Sequence, residues 1–142
     1  MRTHVRFKTK KFEHLRMADA AEKAAALAEW LVERLDNSLR LDYIEEFYFS
    51  RLLIGQPFDK RLAGACGNVE DDTWLVFMVQ QPSLLDRIFR RSMPVELHEQ
   101  FITALHQEFS KNPEILDVEW YEEDSKLREF NHAARPFGTV SD

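Results

Sequence analysis

Chemistry in this chain would have to come from a few residues, and their spacing limits what they can do. His98 and His106 share one helical run, residues 94–111. Metal-binding histidines on one helix sit four apart, which aims both rings at one ion. These sit eight apart, or about 12 Å along the axis, so one helix cannot clamp a metal with them. On a helical wheel His98 falls inside the apolar arc of Leu105 and Phe109. It reads as a core or boundary histidine, with a general base in a pocket as the functional alternative. Cys66 lies in Gly64-Ala65-Cys66-Gly67-Asn68, where small neighbours would let a substrate approach. A nucleophilic thiolate needs a helix N-terminus or a cation to lower its pKa, and the neighbouring sequence offers neither. Cys66 therefore reads as an inert thiol.

The acids gather at Glu70-Asp71-Asp72 and from Asp117 to Asp124. The first run lacks the ligand frame and turning glycine of a calcium loop. Asp117 and Glu119 project from the outer side of a strand, one side-chain period apart. An open sheet face does little to separate two carboxylate pKa values, so this pair suits solvation or a basic partner better than acid–base work. Trp30 lies about 140° from the centre of its helix's apolar stripe, by helical geometry. Among polar neighbours it meets either a second layer of the fold or a partner, and with Arg34 it forms a candidate anchor pair. Arg87, Arg90 and Arg91 form a small basic face without a glycine-rich cradle before it.

The elements that must hold these residues follow from periodicity. At residues 4–8, Val5 and Phe7 alternate with His4, Arg6 and Lys8, which predicts a half-buried strand. Residues 17–36 predict a helix with Met17, Ala21, Ala24, Ala28, Leu31 and Leu35 inward. Residues 42–54 are ambiguous: Asp42, Glu45 and Gly55 suit helix ends, whereas Phe47-Tyr48-Phe49 suits a strand. The helix is the expectation. Residues 55–73 read as loop. The run Trp74–Val79 predicts a central strand, and Ser83 caps a short helix through Arg91. Pro94 opens a second long helix through residue 111. A strand follows near 115–121, with Leu116, Val118 and Trp120 inward.

These elements predict a single α+β domain, a small sheet of about three strands packed against two long amphipathic helices. Its core spans about 4–124, and residues 125–142 form a tail draped over the surface. The chain has 142 residues, one cysteine and a net charge of −6. Such a length can bury its own core. A single thiol excludes an internal disulfide and a cysteine-based zinc site. No apolar run approaches the ~20 residues of a membrane helix, and no secretory pattern opens the chain, which points to the cytoplasm. Six basic side chains against Glu13 make residues 1–16 positive and leave the rest strongly acidic. That field disfavours nucleic acid and anionic membranes. In size and charge the chain resembles small acidic adaptor or immunity proteins. The implied function is noncatalytic protein binding through the acidic surface and Trp30, with no cofactor or metal. The expected partner is a protein with a basic surface, and a homodimer fits the same reading. The alternative is a small enzyme or ligand sensor built around His98, with Cys66 as a further candidate.

Overall fold

The computed structural model describes residues 1–35, 39–55 and 57–138. Its centre is a seven-stranded antiparallel sheet ordered β2-β3-β4-β5-β1-β6-β7. The strands are β1 (His4–Lys8), β2 (Leu41–Glu45), β3 (Ser50–Ile54), β4 (Leu62–Glu70), β5 (Thr73–Gln80), β6 (Leu116–Glu123) and β7 (Glu129–Ala133). Three α-helices accompany them among the described residues, α1 (Ala20–Arg34), α2 (Leu84–Ile88) and α3 (Val95–Lys111), with a short 3-10 turn at Glu13–Leu15.

Period-two alternation divides the sheet into two faces. Val5 stands opposite Val76 and Trp120, Phe7 opposite Trp74, and Cys66 opposite Val76 on the other side of β5. All six side chains are buried, as are Met78, Leu52 and Ile54 on the same face. Helix α1 covers this face over β2, β3 and β4, and α3 packs against β5. The α3 ring of Phe109 tilts against Phe7 with centroids 4.5 Å apart. Phe101, Ile102, Leu105 and Phe109 repeat at helical spacing and are all buried. Truncating one such aromatic to alanine removes about 3–5 kcal/mol of stability. The reverse face of the sheet carries neither long helix.

The expected small, three-stranded sheet packed against two long helices is thus corrected to a seven-stranded antiparallel sheet, within the α+β class. Three segments account for the extra strands. Residues 42–54, expected as helix, form the β2–β3 hairpin instead: Leu41, Tyr43, Leu52 and Ile54 share the covered face, and Asp42 and Arg51 point away. The expected loop at 55–73 contains β4. Its small residues answer close contacts: a Cβ on Gly64 would lie 2.6 Å from Met78 Cε. The expected tail supplies β7, which pairs with β6 after a turn in which the Asp124 carboxylate accepts from the amides of Lys126 and Arg128. Asp36, the last residue of the expected helix, and residues 139–142 lie outside the described residues.

Helix α1 begins later than expected. The Asp19 carboxylate caps it by accepting from the Glu22 amide at 2.9 Å, so Met17 precedes the helix and is exposed. Trp30 is 6% exposed and therefore a core residue, which corrects its reading as a surface anchor. The reason is that α1 makes contacts in two directions, down to the sheet and sideways to α3. The indole stacks at 16° on Phe109, centroids 6.4 Å apart, while the Lys11 ammonium lies over its ring. No described helix is long and apolar enough to cross a membrane.

Candidate functional site

The helix-free face of the sheet divides into a charged half and an aromatic half. The charged half lies over β1, β6 and β7. Arg6 donates to Glu119 at 2.8 Å and to both carboxylate oxygens of Glu129 at 3.0 Å. His132 Nδ1 donates to Glu119 Oε1 at 2.9 Å. The Arg6 guanidinium, followed by His132, holds the Glu119 carboxyl below its usual range. Beneath this network runs a ladder of rings, one from each of four neighbouring strands. Phe77 stacks on His4 at 4.9 Å, His4 meets Tyr121 at 5.3 Å, and Tyr121 stacks on His132 at 5.2 Å. Burial lowers the pKa of His4 and pushes the Tyr121 phenol up to about 12. Arg6 lies over the Tyr121 ring. Glu119, Glu129 and His132 bring three potential metal-ligating atoms within 4.8 Å of one another. Arg6 already engages both carboxylates, so the arrangement reads as an internal ion-pair network.

The N-terminal end of the same half is clamped. Arg2 is buried, and its guanidinium donates to the Asn131 carbonyl at 2.6 Å, the Asn131 side-chain oxygen at 3.1 Å and the Arg135 carbonyl at 3.0 Å. Its backbone amide donates to the Pro136 carbonyl at 2.8 Å. Asn131 adopts a φ of 58°, which turns both of its oxygens to this use.

The aromatic half lies over β4 and β5, under the tip of the β2–β3 hairpin. Residues 46–49 form that tip, closed by the Glu46 amide donating to the Phe49 carbonyl at 3.0 Å and by an ion pair between Arg51 and Glu46. The tip has no glycine, proline or asparagine, the usual turn residues. It carries Phe47 at 84% exposure, Tyr48 at 73% and the partly exposed Phe49. Between the tip and the sheet lies a cavity of about 240 Å³, lined by Tyr48, Phe49, Ala65, Val69, Leu75 and Phe77 among others. Small residues open it. The tip backbone crosses close above Gly67, where a Cβ would lie in van der Waals contact with the Tyr48 carbonyl at 3.4 Å. The volume suits one or two apolar side chains, below the usual range of drug-sized pockets. Beside it, Glu70 and Asp117 line a second hollow together with Lys8, Arg6 and Glu119. Among the described residues, Glu70, Asp71, Asp72 and Asp117 make no ion pair.

The residues singled out from sequence are dispersed. His98 is buried, and its Nε2 donates to the Met78 carbonyl at 2.6 Å. Burial lowers its pKa. Cys66 is buried on the covered face, where burial pushes its thiol up and its sulfur faces the Ala24 carbonyl at 3.8 Å. Trp30 is internal, whereas Arg34 is exposed on the far side of the molecule from the open face, beside Glu108, Lys111 and Asn112. Only Asp117 and Glu119 come together, and Glu119 is committed to Arg6 and His132. Sequence reasoning missed the hairpin tip. Its signal was present: three consecutive aromatics between two segments of strand alternation. The chain matches no protein-family model, no curated protein and no solved structure.

Proposed function

We propose that this protein is a noncatalytic binding module that docks a partner protein on the helix-free face of its sheet, anchored by the aromatic hairpin tip. The observation that carries this reading is the exposure of Phe47 and Tyr48 at 84% and 73% in a turn that needs neither ring for its own closure. Exposed aromatics beside a side-chain-sized apolar cavity are the makings of a binding hot spot. The unpaired acids at the β4–β5 turn and Asp117 favour a partner with a basic surface, and their attraction speeds encounter. The buried, internally bonded state of His98 and the buried, high-pKa thiol of Cys66 give a His98-centred enzyme less support.

The test is affinity capture from source lysate at low and at physiological salt. It compares the wild type with Tyr48→Ser, and with Met17→Ser as a control at another exposed apolar position. A partner should be retained by wild type and Met17→Ser, lost with Tyr48→Ser, and weakened by salt. Equal retention on all three proteins would remove the hairpin tip from the binding surface.

A further inference from the structure

We propose that the partner seated on the aromatic half of the open face is a second copy of this chain, which inserts the apolar, arginine-rich helix α2. This deepens the proposed function and rests on its reading of the cavity as a protein-binding site.

Helix α2 is another place where several neighbouring apolar side chains are left in water. Leu84, Leu85, Ile88 and Phe89 are all more than half exposed, and Phe89 reaches 64%. Its backbone is nevertheless well specified. Ser83 and Asp86 cap it reciprocally, with the Asp86 amide donating to Ser83 Oγ at 3.1 Å and the Ser83 amide donating to Asp86 Oδ2 at 2.8 Å. Arg61 fixes the segment to the sheet, donating to the Ser92 carbonyl at 2.7 Å. Apolar exposure on so fixed an element marks a contact surface more readily than a frayed end. Arg87, Arg90 and Arg91 surround the apolar group, are exposed, and make no ion pair among the described residues. Asp86, the acid of this helix, is buried.

These two surfaces are therefore opposite in kind. One is an apolar projection ringed by cations. The other is an apolar cavity with a hollow beside it that Glu70 and Asp117 line. A chain carrying a net charge of −6 is repelled by an anionic bilayer, whereas Glu70 and Asp117 beside the cavity of another copy attract these arginines locally. Within one molecule the two surfaces do not meet: no residue of α2 lines the cavity. The cavity uses Leu75 and Phe77 of β5, and α2 departs beyond Gln80, the far end of that strand. From Leu75 to the strand end is about 17 Å.

Four apolar and three arginine side chains cover roughly half of the ~800 Å² per partner that a specific interface buries. One contact alone is thus marginal. Two reciprocal contacts about a two-fold axis reach the usual size, each copy supplying α2 to its partner's cavity and receiving α2 in return.

Sedimentation analysis of the full chain from about 10 μM to about 1 mM, concentrations suited to an interface at the small end of the size range, reads this directly. Wild-type mass should rise from 16.8 kDa toward twice that value, less so at high salt. Phe89→Asp and Tyr48→Asp change exposed residues, and circular dichroism should confirm that both remain folded. Each alone should weaken association at least about tenfold. Mixed in equal amounts they should associate more than either variant alone but less than wild type, because the mixed pair retains one of the two reciprocal contacts.

Three results would overturn the proposal: a wild type that stays monomeric throughout, a mixture that associates no more than either variant alone while wild type dimerises, or dimerisation unaffected by Phe89→Asp. Capture of another protein through Tyr48 by a monomeric wild type would keep the proposed function and remove the second copy as occupant. Sedimentation of monomeric protein with phosphatidylglycerol vesicles, lost in Phe89→Asp, would assign α2 to a lipid surface instead.

Discussion

The two halves of the open sheet face use similar residue types to opposite ends. In the charged half, the arginines and the residues around them already have partners within the chain. Arg6 holds Glu119 and Glu129, His132 holds Glu119, and Arg2 is spent on carbonyl and amide oxygens. In the aromatic half, Phe47 and Tyr48 contact each other at 6.1 Å and otherwise meet mostly water. Chemical character alone would rank the charged half as the functional one. Satisfaction ranks them the other way, because a saturated network has little left to offer a ligand and an exposed aromatic has a transfer free energy still to gain. The charged half ties the termini into the sheet, and the aromatic half is left open for an encounter.

The largest effect that separates them should come from Arg2→Ala. Removing a buried guanidinium leaves three neutral oxygens without their donor and unties Asn131 and Arg135, while the backbone bond to the Pro136 carbonyl remains. A loss of about 3 kcal/mol is expected in urea unfolding. A loss below about 1 kcal/mol would mean the clamp is ornamental, since unsatisfied buried groups ordinarily cost more than that. Arg6→Ala comes next. It unties β1 from both Glu119 and Glu129 and leaves those acids facing each other, but the pairs are partly exposed and screened. About 1–2 kcal/mol is expected, with a measurable reduction of the effect at high salt. An effect that ignores salt would point to lost packing over Tyr121 instead.

Mild acid should produce a smaller change, again confined to the charged half and the covered core. Burial lowers the pKa of His4, and likewise of His98 and His106, from the ordinary 6.5. The folded chain keeps these rings neutral at a pH where the unfolded chain binds protons. Their contribution is therefore complete above about 6.5 and is lost as pH falls through that value. Glu119 moves the other way in its own window: held below 4.5, it adds stability that is lost only under more acidic conditions. The melting temperature should accordingly begin to fall between pH 7 and pH 5, before the carboxylates titrate. His4→Phe keeps a ring in the ladder and should flatten part of that fall. An unchanged slope would show that His4 is not among the groups responsible.

How much of this was legible depended on whether the cause was local. The period of 3.6 in Phe101, Ile102, Leu105 and Phe109 placed His98 on the buried side of α3, and the structure puts it there. The alternation at 4–8 was equally local. By contrast, β4 runs Leu62-Ala63-Gly64-Ala65-Cys66-Gly67, a composition that argues against a strand. Gly64 answers to Met78 and the Phe77 carbonyl, contacts that only the finished fold supplies. Trp30 misled for a related reason, since a wheel knows one contact direction and α1 has two. The acidic face of Glu119 was visible, but its partner Arg6 lies 113 residues away and no spacing rule connects them.

The smallest stability effect is the one with most bearing on function. Phe47→Ser removes a ring that is 84% exposed, so almost no apolar area returns to water on truncation. The tip keeps its closing bond from the Glu46 amide to the Phe49 carbonyl and its Arg51–Glu46 ion pair, neither of which involves this side chain. The unfolding free energy should therefore stay within about 0.5 kcal/mol of wild type. A change in either direction of more than about 1 kcal/mol would show that the ring is held by the fold, in which case the tip belongs with the charged half as a structural clasp. Near-zero cost would leave an aromatic residue that the chain does not need for folding. Together with the cavity beside it, such a residue is most simply explained by what it meets on another molecule.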